Sequence, residues 1–593
     1  MRGLMLAALA CVGGAVAAQE TADSVLPEAP TALSTEAISG VVAEAQAEKA
    51  AGRPVRAQKW MVSAANPHAV TAGARVLERG GSAADAMVAV QAVLGLVEPQ
   101  SSGLGGGAFL VYYDAASGKL TTLDGRETAP LLVGPTLFQD NMGKPLKFFD
   151  AVVGGRSVGV PGTPALMQAA HARWGRSEWA GLFGDAIKLA DEGFAVSARL
   201  AALVTNDAQR LMRDPETRGY FLPDGFALRE GHILKNPAYA ETLRVLAGQG
   251  AKQFYTGKIA KDIVAKVQGV EDNPGTLSEV DLMLYRVKER EPVCVPYRGY
   301  EICGMGTPSS GGLTVGQILG MLVPYDLTAL GHENPEAWRL IGDASRLAFA
   351  DRGRYIADSD YVPVPVKGLL DADYLSERAA LLRGDDALPE VAPGKPEFDH
   401  ALNWADDDAI ELPSTSHISI VDAEGNALSM TTTIENAFGS RLMVRGFLLN
   451  NELTDFSFRS HRGGVPVANR VEPGKRPRSS MAPTIVMQGG KPILVIGSPG
   501  GSRIIGYVAK TIIAWADWGM DIQQAIALPH LVNRFGTYDV EGGTNAEALT
   551  ASLKELGYEV KARGLNSGLH GIDLRDGLAG GADPRREGIV LGQ

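Results

Sequence analysis

The sequence has few cysteines, no excess of basic residues and no long apolar run beyond its first residues. Only three cysteines occur among 593 residues, and the formal net charge is −12. The basic residues are dispersed, so no patch suits a nucleic acid or an anionic membrane. No stretch after residue 18 reaches the roughly 20 apolar residues that a spanning helix needs. We therefore expect no nucleic-acid partner and no stable membrane insertion, and small molecules are the expected substrates.

The N-terminus is typical of an exported protein. Arg2, the apolar run from Leu4 to Val16 and the small residues up to Ala18 predict a secretory signal peptide over residues 1–18. A periplasmic or secreted location follows from it. The alternative, a lipoprotein anchor at Cys11, is weaker because the apolar run before it is short. Residues 19–55 are rich in Ala and Glu and are expected to form a flexible leader.

Two cysteines remain after Cys11, and they lie close together in the sequence. A two-residue turn at Arg298–Gly299 would make Cys294 and Cys303 directly opposite partners in a hairpin. Facing Cβ atoms approach the distance that a disulfide needs, and an oxidising compartment favours the bond. Two buried free thiols are the alternative.

A second hairpin, within the stretch Pro413–Glu435, is the most informative segment. Apolar residues alternate on both sides of a turn, and Gly425 suits the left-handed position of a three-residue loop. This loop pairs Asp422 with Asn426, and the register then sets Thr415 directly opposite Thr433. Because cross-strand neighbours lie about 5 Å apart, the two threonine side chains should touch.

A threonine hydroxyl is a weak nucleophile unless a base lies beside it. Cleavage of the chain before Thr415 would supply that base as a new α-amine, whose pKa of about 7.7 to 8 suits proton transfer near neutral pH. Strand residues of this type are also common on ordinary surface hairpins. Spacing alone therefore leaves both interpretations open.

A resemblance to a known family favours the catalytic interpretation. Four segments resemble those of the γ-glutamyltranspeptidases, which are self-cleaving N-terminal-nucleophile hydrolases, and they occur in the same order as in that family. They are Ser414–His417, Leu449–Phe456, Lys475–Thr484 and Gly497–Arg503. The resemblance implies an α/β (α+β) fold, a four-layer αββα sandwich. It also implies autocatalytic cleavage between Ser414 and Thr415 into a large subunit, 56–414, and a small catalytic subunit, 415–593, which remain together as a heterodimer.

The same resemblance implies an activity that needs no cofactor or metal. The donor would be glutathione or another γ-glutamyl amide, and the acceptor would be water, an amino acid or a peptide. By resemblance, Thr415 is the nucleophile, Thr433 orients it, and Gly500 and Gly501 form the oxyanion hole. Because Gly500–Ser502 precedes a helical run, its free N–H groups also suit an anion on physical grounds.

Substrate-binding residues are implied in the same way. The α-carboxylate of the donor would be held by Arg126, Ser479 and Ser480, and its α-amino group by Glu452 and Asp455. Glu435 departs from the asparagine of the better-known members. Strand alternation would place it on the face of Thr433, and three acidic groups around one cation should raise at least one pKa.

Other segments carry weaker expectations. Gly103–Ala108 has the letters of a dinucleotide-binding fingerprint, but the apolar strand that follows replaces the required helix, so we reject a nucleotide site. An amphipathic helix is expected over Ala83–Val97 after the N-cap Ser82. Residues 396–412 are expected to form an exposed, flexible loop before the cleavage site. Residues 458–474 correspond to a loop that covers the pocket in some family members, and their behaviour here is left open.

Two rival functions remain. A glutaryl or cephalosporin acylase on the same scaffold would use a donor without an α-amino group, against which Arg126, Glu435, Glu452 and Asp455 argue. An unprocessed, inactive binding protein would remain one chain.

Overall fold

The computed structural model describes residues 40–400, 403–407, 409 and 411–593. The predicted signal peptide, Cys11 and the leader up to residue 39 lie outside the described residues. Within the described residues, no helix combines the length and apolar character needed to cross a membrane.

The strands form two large antiparallel sheets and several small ones. In chain order they are β1 (Val55–Ala57), β2 (Met61–Ala64), β3 (Gly107–Asp114), β4 (Lys119–Gly125), β5 (Phe194–Ala195), β6 (Ile233–Leu234), β7 (Lys288–Arg290), β8 (Val293–Tyr297), β9 (Tyr300–Gly304), β10 (Ser416–Val421), β11 (Ala427–Thr433), β12 (Met443–Val444), β13 (Phe447–Leu448), β14 (His461–Arg462), β15 (Val465–Pro466), β16 (Thr484–Gln488), β17 (Lys491–Gly497), β18 (Leu531–Asn533), β19 (Thr537–Glu541), β20 (Glu559–Arg563), β21 (His570–Asp573), β22 (Leu578–Ala582) and β23 (Ile589–Gly592).

The α-helices lie mainly before β10. They span Gly40–Ala50, Pro67–Glu78, Ala83–Val97, Phe148–Val152, Thr163–Trp174, Gly184–Glu192, Ala198–Leu211, Pro215–Phe221, Pro237–Gln249, Lys252–Thr256, Lys258–Gln268, Glu279–Leu284, Gly311–Leu322, Leu327–Leu330, Pro335–Tyr355, Val366–Leu369, Ala372–Ala380, Ile504–Ala516, Ile522–Ala527 and Thr550–Glu555.

The two large sheets have seven strands each. One has the order β1-β22-β21-β17-β16-β9-β8, and the other has the order β23-β2-β10-β11-β3-β4-β7. Apolar side chains from both sheets, including Val111, Val421 and Val495, form a shared core between them. The sheets therefore pack face to face.

Helices cover the outer face of each sheet. Met87 and Val90 of the helix Ala83–Val97 share a core with Ile418 of β10, while Ile512 and Leu319 share another with Ile496 of β17. These layers form the expected four-layer αββα sandwich. The helix Ala83–Val97 begins with the expected Ser82 cap, closed by a reciprocal bond with Asp85. Every residue of this helix is buried, so the expectation of an amphipathic helix is wrong; other helices cover its outer side.

The hairpin β10–β11 has the predicted register. Ser416 lies opposite Thr432, and Ile420 lies opposite Leu428. Asp422 accepts a hydrogen bond from the N–H of Gly425, whose φ is +84°, as a bulged three-residue loop requires. The register holds because the hairpin lies inside its sheet, between β2 and β3. A slip of one residue would turn its apolar side chains away from the core.

The expectation of a flexible leader is wrong for residues 40–55. Gly40–Ala50 is a helix with Val42 and Ala45 buried, and β1 pairs with β22 near the C-terminus. Lys49 is also buried, and its ammonium donates to the carbonyls of Arg586 and Gly588 at 2.9 and 2.6 Å. The partners of this segment lie more than 500 residues away in the sequence, so its local composition could not reveal them.

The cysteine hairpin β8–β9 also has the predicted pairing. Cys294 of β8 lies directly opposite Cys303 of β9, and the two are joined by a disulfide. The turn places Arg298 and Gly299 at positive φ, at +50° and +80°.

Candidate active site

The two threonines meet at the open end of the β10–β11 hairpin. Their hydroxyl oxygens are 3.4 Å apart, and both side chains are buried. The Thr415 hydroxyl donates to the carbonyl oxygen of Ser414, and the Thr433 hydroxyl donates to the same oxygen at 3.0 Å. The Thr433 hydroxyl oxygen also accepts a hydrogen bond from the N–H of Glu435 at 2.8 Å. This contact leaves the Thr433 hydroxyl proton directed towards Ser414. Both hydroxyls therefore contact the carbonyl of the Ser414–Thr415 bond, the bond at which cleavage is predicted.

A run of glycines holds the end of β11 in place. Gly107 pairs with Thr433 across the sheet. A Cβ on Gly106 would lie 1.9 Å from the Thr433 carbonyl oxygen, so only glycine permits this approach. The apolar strand predicted after these glycines is present as β3, but the packing role of Gly106 was not predicted.

Glu435 reaches the same pocket by a different route from the one predicted. β11 ends at Thr433, and Glu435 has a φ of +73°. The argument from strand alternation is therefore wrong, because a turn rather than a continuing strand aims the carboxylate. Asn451 donates its side-chain amide to this carboxylate, and the N–H of Leu412 lies 3.4 Å from it.

Arg126 is paired with the carboxylates beside it. Its guanidinium donates to Glu452 and, at 2.5 Å, to Asp455, both in the 3-10 turn Glu452–Asp455. It also donates to the carbonyls of Pro477 and Arg478, at 3.2 and 2.8 Å. Arg126, which the resemblance assigns to the donor's carboxylate, is thus a neighbour of Glu452 and Asp455, which it assigns to the ammonium. In the uncut chain these opposite charges pair with each other.

The acidic groups have raised pKa values, as expected. Burial, and then the charges of Asp455 and Glu452, raise the pKa of Glu435 well above its ordinary value. Burial also raises the pKa of Glu452 and of Asp455, although Arg126 opposes the rise. An ammonium bound among them would favour the charged carboxylates, so the site is suited to a cationic group.

Ser479 and Ser480 also line the pocket. The Ser480 hydroxyl donates to the carboxylate of Glu411 and accepts from Arg352 at 2.7 Å. Arg352 also donates to Glu411, and the nearest nitrogen of Arg478 is 3.7 Å from that carboxylate. The Ser479 hydroxyl has a different partner from that of Ser480: it accepts a hydrogen bond from the N–H of Met481 at 3.1 Å.

The expectation of an exposed loop over residues 396–412 is wrong for its C-terminal part. Trp404, Glu411 and Leu412 are buried, and the last two line the pocket together with both threonines. Arg352 and Ser480 bind this segment by its acidic side chain, a long-range contact that loop composition does not reveal.

Gly500 and Gly501 lie just before the helix Ile504–Ala516, as predicted. Their φ values are +138° and +57°. A Cβ on Gly501 would lie 2.8 Å from the carbonyl of Leu412, so the segment before the cleavage site lies against this turn. Residues 458–474 are folded: β14 and β15 form a small hairpin, and the carbonyl of Pro466 accepts the N–H of Ala405 at 2.9 Å.

Sequence reasoning missed three residues of this site. Asn451 and Arg478 lie inside the motifs that carry the resemblance, but no role was predicted for them. Their polar or charged side chains, next to residues with an assigned role, are the sequence feature that could have indicated one. Arg352 lies in the helix Pro335–Tyr355, outside the motifs on which the resemblance rests. In the part of the chain that the structure describes, no group of three His, Cys, Asp or Glu side chains is arranged to hold a metal ion.

The two facing sheets and the threonine that immediately precedes β10 define an N-terminal-nucleophile hydrolase. Comparison with known families gives a match to the family model Gamma-glutamyltranspeptidase over residues 69–593. The chain belongs to the γ-glutamyltranspeptidase family.

Individual relatives agree with this membership. A glutathione hydrolase proenzyme of Bacillus subtilis (strain 168) is 37% identical over 545 residues, which cover 90% of this chain and 91% of the relative. The structure of a cephalosporin acylase from Bacillus halodurans matches 91% of this chain and 97% of its own, with a TM-score of 0.79 and 25% identity. A γ-glutamyltranspeptidase structure from Helicobacter pylori matches 57% of this chain and 96% of its own, with a TM-score of 0.55 and 35% identity.

Proposed function

We propose that this chain is a precursor that cleaves itself before Thr415 and then transfers or hydrolyses the γ-glutamyl group of glutathione or a related γ-glutamyl amide. The observation that carries the proposal is the contact of the Thr415 hydroxyl with the Ser414 carbonyl, beside Thr433 and within a pocket lined by acidic groups and Arg126. Family membership supports the same chemistry.

Cleavage would begin at the Thr415 hydroxyl. Its oxygen attacks the carbonyl carbon of Ser414, the peptide C–N bond breaks, and the hydroxyl proton passes to the departing nitrogen. Thr433 donates to the carbonyl oxygen, where negative charge develops. Water then hydrolyses the resulting ester, leaving Ser414 as a carboxyl end and Thr415 with a free amine. The chain that ends at Ser414 would carry the large-subunit region 56–414 together with the folded residues 40–55, and the other chain would be 415–593.

Catalysis would reuse the same groups. The new α-amine of Thr415 takes the hydroxyl proton while the oxygen attacks the γ-amide of the donor. The N–H groups of Gly500 and Gly501 stabilise the oxyanion. The amine then returns the proton to the leaving group. Water, an amino acid or a peptide attacks the γ-glutamyl ester, and Thr415 is regenerated.

Recognition of the α-amino group favours a γ-glutamyl donor over a glutaryl or cephalosporin donor. Glu435, Glu452 and Asp455 all line the pocket and are buried. An ammonium among these acids would favour their charged forms, whereas a donor without one offers them no cation beyond Arg126, which already pairs with Glu452 and Asp455. Arg126, with Ser479 and Ser480, is proposed to take the α-carboxylate.

Export to the periplasm or the medium is part of the proposal. The predicted signal peptide supports it, as does the bond between Cys294 and Cys303, since disulfides persist in oxidising compartments.

The test is turnover of γ-glutamyl-p-nitroanilide by the purified protein, with and without glycylglycine. We expect release of p-nitroaniline, faster with the acceptor if transfer competes with hydrolysis. Denaturing electrophoresis and N-terminal sequencing should give two chains, one starting at Thr415. A single inactive chain would favour a binding protein instead, and preference for a glutaryl anilide would favour an acylase.

A further inference from the structure

The last residues before the cleavage site occupy the pocket in the manner of an amino-acid ligand. The carboxylate of Glu411 contacts Ser480 and Arg352. The N–H that follows, on Leu412, lies 3.4 Å from the carboxylate of Glu435. The backbone between them lies against Gly501.

These two contacts fall on residues of both proposed subsites. The Glu411 carboxylate accepts from Ser480, which is proposed to bind the donor's α-carboxylate. The N–H of Leu412 lies near Glu435, which is proposed to bind its α-ammonium.

We propose that Arg352 is a specificity-determining residue of the cleaved enzyme, where it binds the donor's α-carboxylate together with Ser480 in the place that Glu411 holds in the uncut chain. This inference rests on the proposed function and deepens it.

Burial makes the exchange of one carboxylate for another necessary. Arg352 is 3% exposed, and Arg478 lies beside it. Withdrawal of Glu411 after cleavage would remove the carboxylate that Arg352 contacts. Among the described residues, the buried guanidinium would retain only the hydroxyls of Ser310 and Ser480 and the more distant charge of Asp407, which is unfavourable. A donor carboxylate restores the pair, and guanidinium suits it because it can donate two parallel hydrogen bonds.

The test uses three matched anilides with the cleaved enzyme. The γ-glutamyl anilide has both α groups, the glutaryl anilide lacks the amine, and the 4-aminobutyryl anilide lacks the carboxylate. Arg352→Gln should lower kcat/KM at least about tenfold for the first two, through loss of a charge-assisted hydrogen bond. The same variant should change kcat/KM for the 4-aminobutyryl anilide by no more than about twofold. Arg352→Lys, which retains the charge, should recover part of the loss. Equal losses on all three donors would overturn the inference and assign Arg352 a structural role.

Wild-type enzyme provides a second measurement in case the variants do not fold or cleave. A peptide with the sequence of residues 409–414 should inhibit turnover competitively, and the same peptide with Gln in place of Glu411 should inhibit at least about tenfold less. Equal effects of the two peptides would also overturn the inference. Failure of the proposed function looks different, because wild-type enzyme would then prefer the glutaryl anilide, whatever the effect of Arg352→Gln.

Discussion

The hydroxyls of Thr415 and Thr433 both point at one atom, the carbonyl oxygen of Ser414. The two residues are separated by 18 positions in the chain and come together because the hairpin between them has a fixed register. In the proposed mechanism, Thr415 attacks the Ser414 peptide and Thr433 stabilises the charge that the attack creates.

The first prediction concerns the attacking group. Thr415→Ala should remain one uncut chain, because cleavage requires a hydroxyl at that position. Thr415→Ser keeps the hydroxyl and should still cleave. Denaturing electrophoresis after prolonged incubation checks both, and two normal subunits from the alanine variant would contradict the mechanism.

The second concerns the stabilising group. Thr433→Val is nearly isosteric but cannot donate to Ser414, so cleavage should slow about 100-fold. Thr432→Val is the matched control, because the neighbouring Thr432 hydroxyl is buried and has no hydrogen-bond partner among the described side chains. The cleavage half-life, followed from freshly made precursor, measures the effect. Similar half-lives for the two variants would remove Thr433 from the cleavage step.

The third tests Glu435 as a ligand of the donor's ammonium. Charge-assisted hydrogen bonds contribute roughly 1.5 to 3 kcal/mol, which is about tenfold or more in affinity. Glu435→Gln should therefore lower kcat/KM for γ-glutamyl anilides while barely changing it for glutaryl anilides. The substitution conserves volume, so lost packing should not mask the result. An equal loss on both donors would show that Glu435 does not bind the ammonium.

The fourth concerns Cys294 and Cys303. Thiol labelling of denatured, unreduced protein purified from the exported fraction should leave both unmodified. Labelling after reduction should modify both and serves as the positive control. Stoichiometric labelling without reductant would show that the pair is free in the exported protein.

The fifth is a pH dependence of stability at Lys49. Burial lowers its pKa from 10.5 to about 8. Between these values the unfolded chain holds a proton that the folded chain lacks, so stability from this group rises with pH. Relative to Lys49→Met, wild-type stability should improve by up to about 3 kcal/mol from pH 8 to 10.5.

Thermal unfolding of both proteins in the uncut Thr415→Ala background measures this change without the complication of two subunits. The exposed Lys188 provides the control, since Lys188→Met should show no such pH-dependent difference. A constant difference between wild type and Lys49→Met across this pH range would contradict burial of the ammonium beside Arg586 and Gly588.

Local sequence determined the two hairpins and the start of the helix Ala83–Val97. The register at Asp422 and Asn426, the turn at Arg298 and Gly299, and the Ser82 cap depend on residues within a few positions of each other. Their geometry follows from steric limits and from hydrogen bonds that form within one turn. Resemblance added the pocket residues that stand in recognisable motifs.

Only the tertiary structure decided where the remaining segments lie. Glu411 enters the pocket because Arg352 and Ser480, distant in the chain, form a site for its carboxylate. Lys49 is buried because the helix Gly40–Ala50 packs at the C-terminal strand, and Glu435 faces the pocket through a turn with positive φ rather than through strand alternation. Each outcome depends on burial and charge pairing between distant segments, and those interactions do not exist until the sheets have packed.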